Sequence, residues 1–133
     1  SYLSSAYEAL SSGGLFIFDF WFGPAVLLQQ PVVRVKRLSG ENLNVTRIAE
    51  PEIHLDSNTV DVNYEILIET RNEVPTKRIT EKHSMRYFFL PELSFLLAAR
   101  GFRPLVYEEW LTGAEPSGDT WGVVCVAKKG LDE

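Results

Sequence analysis

Gly13-Gly14-Leu15-Phe16-Ile17-Phe18-Asp19-Phe20 reads as an interior β-strand entered through a glycine turn. The two glycines end a short helix-compatible lead-in whose apolar positions are Tyr2, Leu3, Ala6, Tyr7 and Leu10. Leu15–Phe18 is apolar at consecutive positions, so both strand faces carry hydrophobic side chains, and the run stops at a single carboxylate, Asp19. Such continuous apolarity is expected where helices cover both sides of a parallel sheet. Only 12 residues precede Gly13, too few to hold an earlier βαβ unit that would supply that sheet. The stretch predicts the second half of something larger.

Outward from this strand, Gly23-Pro24 is a break, with a short helical turn expected over Ala25–Gln29. Val32–Leu38 alternates, and Ser39-Gly40-Glu41-Asn42 reads as a hairpin turn into a strand over Leu43–Ala49. Glu52–Asp56 is a weaker strand. Val60, Val62, Tyr64, Ile66 and Ile68 alternate with polar positions in the cleanest two-residue period of the chain, and the turn Arg71–Pro75 leads to a partner strand, Lys77–Phe88. These strands fit an antiparallel sheet. Leu90-Pro91-Glu92-Leu93 opens the main helix, since proline is tolerated in the first turn and a carboxylate suits the helix dipole. Gly101 stops it, and Phe102–Trp110 and Trp121–Lys128 are two closing strands. The expected class is α+β: an antiparallel-rich sheet with one main C-terminal helix and a short N-terminal helix. A single domain over residues 1–133 is expected, with a lead-in at 1–30, an antiparallel insertion at 31–88, and a helix plus closing strand pair at 89–133.

The 133 residues suffice for one core, and 45% hydrophobic with 23% charged residues describes a globular chain. A net charge of −5 argues against nucleic acid and anionic membranes, which require clustered Lys and Arg. Arg34, Lys36 and Arg37 read as a solvated strand face. Cys125 stands alone, which excludes an intrachain disulfide and predicts a buried structural thiol. No apolar run approaches the roughly 20 residues that span a bilayer and no signal peptide is visible, so a cytoplasmic location is the expectation. Met85 is the only methionine, so Ser1 is not an initiator and upstream residues are expected to have been removed.

Two groups of residues have the chemistry for a site. Strand alternation places Glu81 and His83 on the face of Ile79, Met85 and Tyr87. A carboxylate and an imidazole on an apolar face are costly unless paired or functional. They would serve as general base and orienting acid, or simply bond each other. Asp19 lies near the carboxyl end of its strand beside Trp21 and Phe22, where ligands of open α/β sheets gather. Aromatic rings beside a carboxylate suit a cationic amine, while a turn-capping role is the plain alternative. His54 between Glu52 and Asp56 has strand spacing for a metal, but no second His or Cys cluster supports one, so no metal site is expected.

Ser11-Ser12-Gly13-Gly14-Leu15-Phe16-Ile17-Phe18-Asp19 resembles the helix-to-strand junction in the second half of class I S-adenosylmethionine-dependent methyltransferases. Phe88-Phe89-Leu90-Pro91-Glu92-Leu93, followed by Leu97 and Gly101-Phe102, is similar to their later helix. The last two strands resemble their closing antiparallel pair, and the insertion is similar to that of small-molecule and amino-sugar N-methyltransferases. The resemblance implies a substrate-side half-domain whose pocket residues are Asp19, Trp21, Phe22, Arg86 and Tyr87, with Glu81 or His83 taking a proton. It also implies S-adenosylmethionine as cofactor, held by a glycine-rich turn that lets backbone approach the ligand closely. This chain has no G-x-G, and Gly13-Gly14 precedes a strand instead of following one. No cofactor is therefore expected to bind the chain alone, and S-adenosylmethionine enters only if the missing half is supplied. Two readings follow: a substrate-side half-domain without independent methyl transfer, and a standalone homo-oligomeric module for a small organic ligand, a homodimer being the simplest way to hide open strand edges.

Overall fold

The structure, a computed structural model, describes residues 2–71 and 73–130. Among these are three helices and seven mostly antiparallel strands, the α+β class that the alternation predicts: α1 (Tyr2–Ala9), β1 (Leu15–Phe22), α2 (Gly23–Gln29), β2 (Arg34–Ser39), β3 (Leu43–His54), β4 (Thr59–Thr70), β5 (Glu73–Phe88), α3 (Leu90–Ala99), β6 (Phe102–Glu109) and β7 (Gly122–Lys129). The predicted Arg71–Pro75 turn lies partly outside the described residues. No described helix is long and apolar enough to cross a membrane. The contacts group the chain into two compact units, one made of the residues up to Gln30 with those from Tyr87 onward, the other of Pro31–Arg86.

In the first unit β1 pairs antiparallel with β7, in register from Leu15↔Lys128 to Trp21↔Gly122, and β7 pairs antiparallel with β6. On its other side β1 pairs in parallel with the end of β5, only at Trp21↔Tyr87 and Phe22↔Phe88. Alternation sends Phe16, Phe18, Phe20 and Phe22 to one face. There Phe20 and Phe22 join Leu93, Leu97, Phe102, Val123, Cys125 and Ala127 in the buried core, and Leu3, Ala6 and Leu10 of the lead-in pack against it. The rings form a ladder, with centroids 4.9 Å apart for Phe16–Phe18 and 6.0 Å for Phe18–Phe20. Ser94 and Tyr107 share a hydroxyl hydrogen bond of 2.8 Å between α3 and β6. Burial pushes the Cys125 thiol up to about 11, against a smaller opposing pull from the Tyr107 hydroxyl, which fits the structural role expected for it.

The Lys129 ammonium donates to the Tyr7 and Leu10 carbonyls at 2.6 and 2.7 Å, capping the end of the lead-in helix, and stands 4.1 Å over the Tyr7 ring. Gly101 stops α3 at φ +87°, and an added Cβ there would lie 2.6 Å from the Tyr7 ring. Only glycine satisfies both the left-handed backbone and the close ring.

The second unit is a meander: β2 on β3, β3 on β4 and β4 on β5, all antiparallel. The two strands expected over Leu43–Ala49 and Glu52–Asp56 are one strand, β3, running through Pro51. The reason is positional. β2 begins at Arg34, opposite Ala49, so the outer edge of β3 at Pro51 is unpaired among the described residues and needs no N–H from the proline.

Gly23 starts α2 at ordinary φ, yet a Cβ there would meet the Phe89 ring at 2.7–2.8 Å. Gly23→Ala is expected to lower stability by about 1–3 kcal/mol through overpacking, measured as a shift of the urea unfolding midpoint at unchanged slope.

Candidate functional site

The carboxyl end of β1 holds Asp19 and Trp21 on the face opposite the phenylalanine ladder. On this face Leu15 is 51% and Ile17 62% exposed, and Asp19 is exposed as well. The β-register arranges the face into rows: Leu15–Lys128–Arg103, Ile17–Val126–Val106, and Asp19–Val124–Glu108. Trp21 follows opposite Gly122, whose carbonyl accepts the Trp110 N–H at 2.9 Å. The Trp21 and Trp121 rings meet edge to face with centroids 5.8 Å apart. The Trp121 indole N–H donates to Gln29 of α2, whose amide donates to Asp119 at 2.9 Å. Glu109 anchors the neighbouring loop, accepting from the Thr120 hydroxyl at 2.5 Å and from Thr112 at 2.8 Å. These bonds, Thr120 first, hold its carboxyl below the usual range.

Asp19 and Trp21 therefore share a face as strand spacing predicts, with Trp121 as the aromatic neighbour. Phe22 turns to the other side, 7% exposed within the core and paired with Phe88. Tyr87 is fully buried, its ring 6.0 Å from Phe89, and its hydroxyl has no hydrogen-bond partner among the described residues. Burial raises its pKa. Arg86 ends the second unit, opposite Thr59, and is exposed.

Glu81 and His83 also belong to the second unit. The His83 Nε2–H donates to Glu81 Oε2 at 3.2 Å, both side chains being more than half exposed. The Tyr64 ring meets His83 edge to face at 5.3 Å, and the Arg47 guanidinium lies 5.4 Å over that same ring. The pair bond each other, and an exposed imidazole beside an aromatic edge remains open to a ligand.

The residue set that sequence reading missed is on the opposite face of the same strands. Asp61 is only 8% exposed and accepts from three donors: the Ser84 hydroxyl, the His54 Nε2–H at 2.9 Å and the Lys82 ammonium at 3.3 Å. The Ser84 bond, opposed by burial and aided by His54 and Lys82, holds its carboxyl below the usual range. A carboxylate buried this far is tolerated because both of its oxygens are met by donors. No local motif announces the cluster: Asp61 faces Glu52 and Ser84 only through the three-strand register. His54 is thus committed to Asp61, and no group of three or more metal-binding side chains occurs among the described residues.

The turn after β1, where a parallel strand meets a helix, is Phe22-Gly23-Pro24, and its glycine is filled against Phe89. It offers packing and no cradle for a ligand.

No protein-family model matches the chain, and no curated protein does. Solved structures do. A S-adenosylmethionine-dependent methyltransferase from Clostridium acetobutylicum superposes over 97% of this chain with a TM-score of 0.74 at 19% identity. The sugar N-methyltransferase KedS8 from Streptoalloteichus covers 96% with a TM-score of 0.73 at 16% identity. CalS10, an amino pentose methyltransferase from Micromonospora echinaspora, covers 96% at 0.65 and 17%. The chain spans about half the length of these proteins, 50%, 47% and 48% of each. Its fold is that of half a S-adenosylmethionine-dependent methyltransferase, consistent with the carboxyl-terminal half that the Gly13–Asp19 and Phe88–Phe102 segments resemble.

Because the folded Asp61 has a lowered pKa, the unfolded chain binds more protons as the solution is acidified. The stability it contributes is present above about pH 4 and is lost as pH falls through the folded value. Asp61→Asn is expected to lower the melting temperature at pH 7 and to flatten its fall on acidification, read by a pH series of thermal melts; Glu109, also lowered, contributes a slope of the same sign.

Proposed function

We propose that the chain is the substrate-side half of a small-molecule methyltransferase, without independent methyl transfer. The observation that carries this reading is β1: an apolar strand paired in parallel for only two residues, with its edge over Leu15–Phe20 unpaired among the described residues. An interior strand of a larger parallel sheet has this character, and the solved methyltransferases that share the fold are twice as long. The methyl donor, S-adenosylmethionine, belongs to the complementing half and does not bind this chain alone.

The chain's own part is to seat and orient an acceptor. Asp19 beside Trp21 and Trp121 offers a carboxylate and an aromatic edge to a cationic or amine-bearing small molecule, by ionic and cation–π attraction. Holding that group in line with the donor is where most of the rate would come from. In the other unit His83, oriented by Glu81, has the chemistry to take a proton. That CalS10 and KedS8 act on sugar substrates, as an amino pentose and a sugar N-methyltransferase, supports an amine acceptor here.

Calorimetry with S-adenosylhomocysteine tests this on two proteins. The chain alone is expected to give no micromolar binding. A fusion placing the unmatched half of the Clostridium acetobutylicum methyltransferase before Ser1, shown folded by circular dichroism, is expected to bind at micromolar concentration. Micromolar binding by the chain alone, or a folded fusion that does not bind, contradicts the reading. A stable homodimer of the chain that binds a small organic cation and no cofactor would favour a standalone module instead.

A further inference from the structure

β2 is an edge strand of the second unit, and its outer edge is unpaired among the described residues. Gly40 N–H donates to Leu43 O at 2.7 Å, so antiparallel alternation gives the backbone bonds to β3 to Arg34, Lys36 and Leu38. The N–H and C=O groups of Val35, Arg37 and Ser39 therefore face outward. Along this edge Val35 is 48% and Leu38 58% exposed, and Arg34, Lys36 and Arg37 are exposed cations. None of the three has an ion pair, a side-chain hydrogen bond or a ring contact among the described residues. Other cations of the unit do: Arg78 pairs with Glu65, Lys82 with Asp61, and Arg47 lies over Tyr64. No carboxylate of β3 stands opposite β2, and Lys36 faces Arg47 directly. Like charges across a ladder are unfavourable, so folding alone does not reward this arrangement. Nor does a second copy of the edge: antiparallel self-pairing centred on Val35, Lys36 or Arg37 sets two cations opposite each other.

We infer that the β2 edge takes up an extended acidic segment of a partner polypeptide as an added strand. Backbone bonds to Val35, Arg37 and Ser39 supply affinity, and the order of side chains supplies specificity. In the antiparallel register the segment reads apolar, acidic, acidic, apolar, acidic from its amino end, opposite Leu38, Arg37, Lys36, Val35 and Arg34 in turn. The carboxylate opposite Lys36 gives the Lys36–Arg47–Ile66 row its anion. The same cations that keep the edge from pairing with itself thus select a strand of opposite charge. The inference is independent of the half-domain reading, since it involves no cofactor, acceptor or methyl transfer.

The probe is an acetylated, amidated peptide with the core Ile-Glu-Glu-Val-Glu between flanking threonines, titrated into the whole chain and followed by NMR. A second peptide has the same residues reordered as Glu-Ile-Val-Glu-Glu. The first is expected to bind at least about fivefold tighter. It is expected to slow amide exchange at Val35, Arg37 and Ser39, while Arg34, Lys36 and Leu38, already bonded to β3, change little. Lys36→Glu with Arg37→Glu is expected to abolish binding. Val35→Pro is expected to weaken it at least about fivefold with circular dichroism unchanged, since a proline there removes only an outward N–H. Equal binding of the two peptides, no binding at millimolar peptide, or protection that falls elsewhere than on the outward amides overturns the inference. So does a single-stranded oligonucleotide of the same charge that binds as tightly. A dimer seen by light scattering that Val35→Pro dissolves also overturns it, because the occupant is then a second copy.

Discussion

The alternation of β1 is the constraint on which the first unit depends. Four phenylalanines at every second position commit one face of the strand to a single core, built with α3 and the lead-in helix. The same alternation delivers Leu15, Ile17, Asp19 and Trp21 to the other face without choice. Antiparallel pairing with β7 over seven residues locks that assignment, because a one-residue slip would turn every phenylalanine outward. The core and the open face are therefore one decision read from two sides.

That decision was legible in the sequence only in part. Consecutive apolar residues predicted a strand with two hydrophobic faces, and the strand is there, but the described helices that pack on its core lie against the phenylalanine side. Leu15 and Ile17, the apolar residues of the other face, are exposed. β3 shows a different limit. Pro51 reads locally as a break between strands, and whether it breaks anything depends on where β2 begins, which is a property of pairing. Capping and stopping signals, by contrast, are local, and Pro91, Glu92 and Gly101 delimit α3 as they predict.

The candidate site divides along the same line. Asp19 and Trp21 are two residues apart on one strand, so periodicity alone puts them together. Trp121 lies a hundred residues on, just before β7, and only the pairing of β1 with β7 brings its ring to Trp21. Glu81 and His83 are likewise legible as a pair, and the 3.2 Å bond between them is the simplest consequence of that spacing. The buried carboxylate of Asp61 was not legible, since its three donors come from both flanking strands, β3 and β5. Its burial ties the register of three strands to one charge, and this makes the second unit self-consistent without any ligand.

Hydrogen exchange on β1 tests the central claim most directly. Phe22 N–H donates to Trp121 O, and Gly14 O accepts from Lys129 N–H, so the even-numbered residues bond β7 and the odd ones face the other edge. The account predicts slow exchange at Phe16, Phe18 and Phe20 and fast exchange at Ile17 and Asp19, residue by residue along one strand. Equally slow exchange at Ile17 and Asp19 in the isolated chain would mean that the edge is already closed, and would contradict an open half-sheet.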